Sequence, residues 1–407
     1  MNAQNNHDSS QPWHPGSWRA HPVKQVPDYE DKRLLAEVEE QLRRCPPIVL
    51  APEAARLEGH IAAAGRGEAF LLQGGPCAES FDAFSADFIR ALYDTLAQMA
   101  QIVEKGLGKP VVRTARLAGQ YAKPRSSAVE GRNGQELPSY RGDIVNSHRF
   151  EAPARRHDPL RMVKGYDQAA ATMNYARALA SAQNDDRFFV AHEALLLPYE
   201  EAFARPVAPG QAQGAYYGAS GHFLWIGDRT RQPDGAHVAF LRGLVNPLGI
   251  KVGPTTPATD LLALLSTLNP GRKAGRITLI ARMGAGRVRD LLPSLVEAVK
   301  ASSQPVTWVC DPMHANTISA QGGVKTRPFD AIVQEWSGFK AVLDQAGVPA
   351  GGIHLEMTGR DVTECTGGPQ GLQESDLGLR YESHCDPCLN ATQALALASM
   401  VASGGKS

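Results

Sequence analysis

Eight times between residues 69 and 355, a short apolar or β-branched run is followed by a longer segment with helical periodicity. The runs cover residues 69–72, 111–115, 188–191, 222–226, 249–252, 277–281, 305–309 and 353–355. They do not alternate apolar with polar, which predicts strands buried on both faces. Eight such strands separated by helices predict a closed parallel α/β fold, a (β/α)8 barrel over residues 69–407. An open doubly wound sheet has the same alternation without closure and is the alternative. The first crossover is the clearest, with Phe84, Phe88, Leu92, Leu96, Met99 and Val103 at spacings of three or four, and Gly106 and Gly108 as its stop.

Residues 1–68 precede this pattern. Up to about residue 28 they are polar and Pro-rich, an arm with no core of its own. Two helices follow, over 31–44 with Leu34, Leu35, Val38 and Leu42 on one face, and over 52–65 with Leu57 and Ile61. The longest apolar stretch, residues 394–402, is too short to span a bilayer and is broken by Ser399. With no basic segment leading into an apolar run at the N-terminus, a cytoplasmic location is expected. Six cysteines in 407 residues are too few for a disulfide scaffold, so free thiols or metal ligands are expected.

Barrels of this kind carry their chemistry at the C-terminal strand ends. Those positions are Cys77, Arg116, Glu193, Asp228 with Arg229, Lys251, Arg282, residues 311–314, and Glu356, nearly all ionisable. Arg116, Lys123, Arg125, Arg229, Lys251 and Arg282 form a cationic set in a chain whose 42 Lys and Arg are balanced by 42 Asp and Glu. Zero net charge argues against a nucleic-acid partner and requires any anion to be met by a local cluster. Arginine forks suit phosphate and carboxylate, so small phosphorylated acids are the expected ligands. A structural network with Glu193, Asp228 and other carboxylates is the alternative. Cys77, His314, Glu356 and Asp386 form a second set, a thiolate, an imidazole and two carboxylates. That mixture suits a divalent transition metal such as manganese, cobalt, iron or zinc, and not magnesium. Cys385-x-x-Cys388 lacks the second pair of a zinc finger, and Gly284-Ala285-Gly286 reads as a plain turn.

LLQGGPCAESF, RLAGQYAKPRS, LPSYRGD, HEALLLPYE, WIGDRTRQPDGAH, NPLGIKVGPT, RITLIARMGA, WVCDPMHANT, GGIHLEMTG, DVTEC and CDPCLN occur in that order. Together they resemble type II 3-deoxy-D-arabino-heptulosonate 7-phosphate (DAHP) synthases, from about residue 23 to residue 400. The resemblance implies a (β/α)8 barrel that condenses phosphoenolpyruvate with erythrose 4-phosphate at the entry to the shikimate pathway. It implies a divalent metal, Mn2+ or Co2+, on Cys77, His314, Glu356 and Asp386. It further implies Arg116, Arg229, Lys251 and Arg282 on phosphoenolpyruvate, with Asp228 beside it, Lys123 near the reacting atoms, and Arg125 and Ser126 on the erythrose phosphate. Lys123, or a water held by Glu193, is expected to move protons.

Three residues depart from the family pattern: Pro76 for an acidic residue, Asp228 for Glu, and Cys388 for Arg. The shorter Asp228 is expected to leave a gap that a water fills. The link from Leu179 to Phe188 is also short, as in relatives serving secondary metabolism such as phenazine formation, so feedback by aromatic amino acids is expected to be weak. The alternatives in function are an amino-DAHP synthase taking an imino sugar phosphate, and an inactive barrel kept for docking, for instance to a chorismate mutase. A homodimer or homotetramer is expected. Cys385, next to Asp386, is expected to pair with Cys77 on oxidation of the metal-free protein; an inert buried thiol is the alternative.

Overall fold

The computed structural model describes residues 12–132, 134–208 and 214–404. Eight parallel strands close into a barrel: β1 (Phe70–Gly75), β2 (Val111–Ala115), β3 (Phe188–Glu193), β4 (Phe223–Ile226), β5 (Leu248–Val252), β6 (Ile277–Ala281), β7 (Val306–Cys310) and β8 (Ala350–Glu356). Each pairs with its sequence neighbours, and β1 closes on β8 from Leu71 opposite Gly352 to Gly75 opposite Glu356. Closure decides against the open sheet. All eight expected strands are present.

Two helices lead in, α1 (Lys32–Arg44) and α2 (Ala51–Gly65). The Asp31 side chain caps α1 by accepting from the Leu34 N–H at 2.8 Å. Leu57 and Ile61 of α2 pack with Leu71, Val112, Phe189, Phe223, Trp225 and Ile280 inside the barrel. The amino-terminal end of the barrel is thereby filled with side chains, and the opposite end is left for chemistry.

The crossovers carry α3 (Ala86–Leu107), α4 (Leu160–Ala182), α5 (Leu197–Ala202), α6 (Ala236–Leu241), α7 (Ala258–Leu268), α8 (Val288–Ser302) and α9 (Phe329–Ala346), with α10 (Ala391–Ala402) closing the ring against α3. Gly106 does not stop α3. It lies inside the helix, where a Cβ would come within 2.6 Å of the Ala402 carbonyl oxygen, so it is a close-approach glycine under α10. Gly108, at φ +66°, is the cap. Only residues 183–187 separate α4 from β3. No described helix is long and apolar enough to cross a membrane.

Candidate active site

A cavity of about 160 Å³ opens at the C-terminal strand ends. Twelve of the thirteen residues singled out in the sequence line it: Cys77, Arg116, Lys123, Arg125, Ser126, Glu193, Asp228, Arg229, Lys251, Arg282, His314 and Asp386. The thirteenth, Glu356, is fully buried at the end of β8, where its Oε1 lies 3.0 Å from His314 Nε2.

Donor atoms of Cys77, Glu356 and Asp386 lie within 4.8 Å of one another, and His314 joins them through Glu356. The other His314 nitrogen, Nδ1, is 2.8 Å from Asp311 Oδ2, which leaves Nε2 aimed at the donor group. The group already attracts a cation. Lys123 Nζ sits 2.7 Å from Asp386 Oδ2, 2.8 Å from Cys77 Sγ and 3.7 Å from Glu356 Oε1. One soft sulfur, one imidazole and two carboxylates fit a divalent transition metal. Burial opposes ionisation of Glu356, but His314, Lys123 and Arg327 outweigh it and hold the carboxyl well below its usual range. Burial opposes the charge on Lys123. Asp386, Cys77 and Glu356 reverse that and keep it an ammonium.

The cations converge, but five of the six have a carboxylate partner. Arg116 pairs with Glu356 at 3.1 Å, Lys123 with Asp386, Arg125 with Glu130, Lys251 with Asp311, and Arg282 with Asp228 at 3.0 Å. Arg229 is exposed and has no ion pair among the described residues. Self-repulsion of a bare cationic cluster is therefore relieved within the protein, and the network expected as the alternative exists alongside the cavity. Arg116 is the most committed. It is buried, donates to the carbonyls of Pro76 and Cys77 at 3.1 and 2.9 Å, and reaches His354 Nε2 at 2.7 Å.

Glu193 has the opposite character. Its Oε1 is buried without a hydrogen-bond partner, and burial pushes its carboxyl up against the pull of Lys123, Lys251 and His314. Gly227 is small where the chain passes this carboxylate; a Cβ there would lie 2.1 Å from Glu193 Oε1. Asp228, the shorter carboxylate, reaches two arginines directly. Its Oδ2 accepts from Arg282 and its Oδ1 from Arg231, each at 3.0 Å.

Asp311 stands among the strand-end positions read from the sequence but without a role there, and Arg327 and His354 were not found. Asp311 orients His314 and pairs with Lys251. Arg327, fully buried, donates to Glu356 Oε2 at 2.7 Å. His354 is kept neutral by burial and the nearby Lys251, and it links Gln73 to Arg116. A signal existed for His354, because it stands two residues before Glu356 and so shares its barrel-facing side. Arg327 lies after a two-stranded hairpin (Ile318–Ser319 with Lys325–Thr326), away from any barrel strand end.

The sequence model of the Class-II DAHP synthetase family matches residues 13–187 and 180–402. The chain belongs to the class-II DAHP synthetase family. A phospho-2-dehydro-3-deoxyheptonate aldolase of Neurospora crassa is 43% identical over 96% of this chain and 94% of its own length. Counterparts bearing that description in Streptomyces coelicolor (44%, over 95% of this chain and 96% of its own) and Mycolicibacterium smegmatis (43%, over 94% and 92%) are equally similar. A truncated 3-deoxy-D-arabino-heptulosonate 7-phosphate synthase from Thermotoga maritima aligns at 15% identity and TM-score 0.37, over 82% of this chain and 86% of that one, which carries no weight here.

The residues expected to depart from the family pattern have physical contexts. Pro76 cannot contribute a charge, but its carbonyl accepts from Arg116. Cys388 is buried; its N–H donates to Glu364 Oε2 at 2.6 Å and its sulfur accepts from Ser383 Oγ at 3.5 Å. Glu364 also accepts from the N–H groups of Glu382 and Ser383, each at 2.8 Å, and so shapes the loop that carries Asp386.

Proposed function

We propose that this cavity performs the condensation of phosphoenolpyruvate with erythrose 4-phosphate, giving DAHP and phosphate. The observation that carries the reading is the meeting of the thiolate, imidazole and carboxylate donors with the cationic set in one cavity. Arg229, Lys251 and Arg282 bind the phosphate and carboxylate of phosphoenolpyruvate, over a floor made by Arg116. Arg125 and Ser126, further out, take the phosphate of the sugar. Cys77, His314, Glu356 and Asp386 would hold a divalent transition metal, manganese or cobalt, which would supply polarisation of the sugar aldehyde.

The enol carbon of phosphoenolpyruvate then attacks that aldehyde. Lys123, held as an ammonium, donates a proton to the oxygen that gains charge. Glu193, with one oxygen that has no hydrogen-bond partner, holds the water that captures the cation left at C2 and takes its proton. Lys251 and Arg282 stabilise the departing phosphate. Weak feedback by Trp, Phe or Tyr is part of the reading, because five residues between α4 and β3 leave little chain for an added pocket.

The test follows phosphoenolpyruvate loss and phosphate release with erythrose 4-phosphate, before and after chelation and after adding back Mn2+ or Co2+. Turnover that needs both substrates and returns with metal is expected, and Glu356→Gln should resemble the chelated protein. Full turnover by metal-free protein, or phosphate release without the sugar, overturns the reading.

A further inference from the structure

The chemistry above makes no use of the arm before α1, yet that arm is fastened at several points. The Trp13 indole N–H donates to the Ala239 carbonyl at 2.9 Å, and its ring meets Tyr216 edge-on at 5.4 Å. Trp18 is buried and donates to Glu201 at 2.8 Å. The chain then crosses between two loops of the barrel mouth. On one side the Pro22 carbonyl accepts from the Ala236 N–H at 3.0 Å, where the loop carrying Asp228 and Arg229 enters α6. On the other side stands Gln25. Its Oε1 accepts from the Arg125 N–H at 2.9 Å, its Nε2 donates to the Arg125 carbonyl at 3.0 Å, and its own carbonyl accepts from Arg141 at 3.4 Å.

Residues 124–126 lie in neither helix nor strand, and among the described residues the Gln25 amide makes their only main-chain hydrogen bonds. One primary amide satisfies donor and acceptor of the same residue, as a neighbouring strand would. Gln25 holds φ +66°, a conformation that costs a non-glycine residue energy and persists where the surroundings fix it. Arg125 is thus held twice, through its main chain by Gln25 and through its guanidinium by Glu130.

We propose that Gln25 is a positioning residue for the sugar phosphate: its amide clasp on the Arg125 main chain sets where Arg125 and Ser126 stand at the mouth. The proposal rests on the reading that those two residues receive that phosphate. Phosphoenolpyruvate lies deeper, against Lys251 and Arg282, which Gln25 does not touch.

Steady-state kinetics with each substrate varied separately test it. Gln25→Ala should raise KM for erythrose 4-phosphate roughly five- to thirtyfold, the size of one to two lost neutral hydrogen bonds. KM for phosphoenolpyruvate, kcat and the thermal midpoint should stay near the parent values. Gln25→Glu keeps the acceptor and loses the donor, so it should fall between the two, and it decides the matter if the alanine variant does not fold. Added to Arg125→Ala, Gln25→Ala should raise that KM by less than it does alone, because only Ser126 is left to be misplaced. An Arg125 effect without a Gln25 effect, additive effects, or both KM values rising together with a lowered midpoint overturns the clasp. An unchanged KM for erythrose 4-phosphate in Arg125→Ala overturns the underlying assignment of Arg125 and the proposal with it.

Discussion

Asp311 Oδ2 lies 2.8 Å from His314 Nδ1, so the ring is held with Nε2 turned to Glu356, 3.0 Å from its Oε1. Burial opposes the charge on Asp311, but His314 and Lys251 outweigh it and hold the carboxyl well below its usual range. Asp311→Asn keeps the shape and removes the charge that fixes the ring. Metal affinity, read by competition with a fluorescent chelator, should fall about 10- to 100-fold. An unchanged affinity would confine Asp311 to its other partner, Lys251.

That partner gives a pH dependence. Burial pushes the Lys251 ammonium down to about 8, against the pull of Asp311. As pH rises through about 8 the positive charge is lost, so KM for phosphoenolpyruvate should climb there. Stability should move the other way. The folded pKa lies below the ordinary lysine value of about 10.4, so between these pH values the unfolded chain binds more protons and this group's contribution improves as pH rises. Lys251→Arg, charged throughout, should flatten the KM profile. A profile as steep as the parent's would assign the titration to another group.

The strands were legible because a buried parallel strand is rich in apolar and β-branched residues over several consecutive positions, and Ile277–Ala281 carries that pattern to both ends. The start of β8 was not, since Ala350, Gly351 and Gly352 have no apolar signal. Gly352 is there for space; a Cβ would lie 2.3 Å from the Leu71 carbonyl oxygen. At the mouth, strand-end position was enough to find residues such as Lys251 and Glu356. Their partners were hidden, because the Arg327 to Glu356 and Lys251 to Asp311 pairs form only once the barrel closes.

Gly142 tests a tighter constraint. Its φ is +94°, and a Cβ there would stand 1.9 Å from the Tyr121 carbonyl oxygen. The preceding Arg141 carbonyl accepts from the Lys123 N–H at 2.8 Å, so relief of the clash moves the segment that places the Lys123 ammonium. Gly142→Ala should cost about 2 kcal/mol or more by denaturant unfolding, with kcat falling as well. Parent-like stability and turnover would show that the loop shifts without strain.

Cys77 and Cys385 are free thiols close enough for each to shift the other's titration, as a hydrogen bond between them would. Burial, Cys385 and the Glu356 charge push Cys77 up, while Cys77 lowers Cys385 despite its burial. In metal-free protein Cys385 is therefore the better thiolate, and it attacks a small disulfide reagent first. Cys77 then displaces the reagent's second thiol: the two cysteines give up two protons and two electrons, and the reagent leaves as two thiols. A divalent cation on Cys77 blocks the second step by occupying its sulfur. Peptide mapping of the stripped, oxidised protein should find a Cys77 to Cys385 link, with activity returning only when reductant and metal are both supplied. Bound Mn2+ should protect, and Cys385→Ser should resist inactivation. If that variant is inactivated as fast as the parent, or if mapping finds Cys388 as the partner, the pairing is wrong.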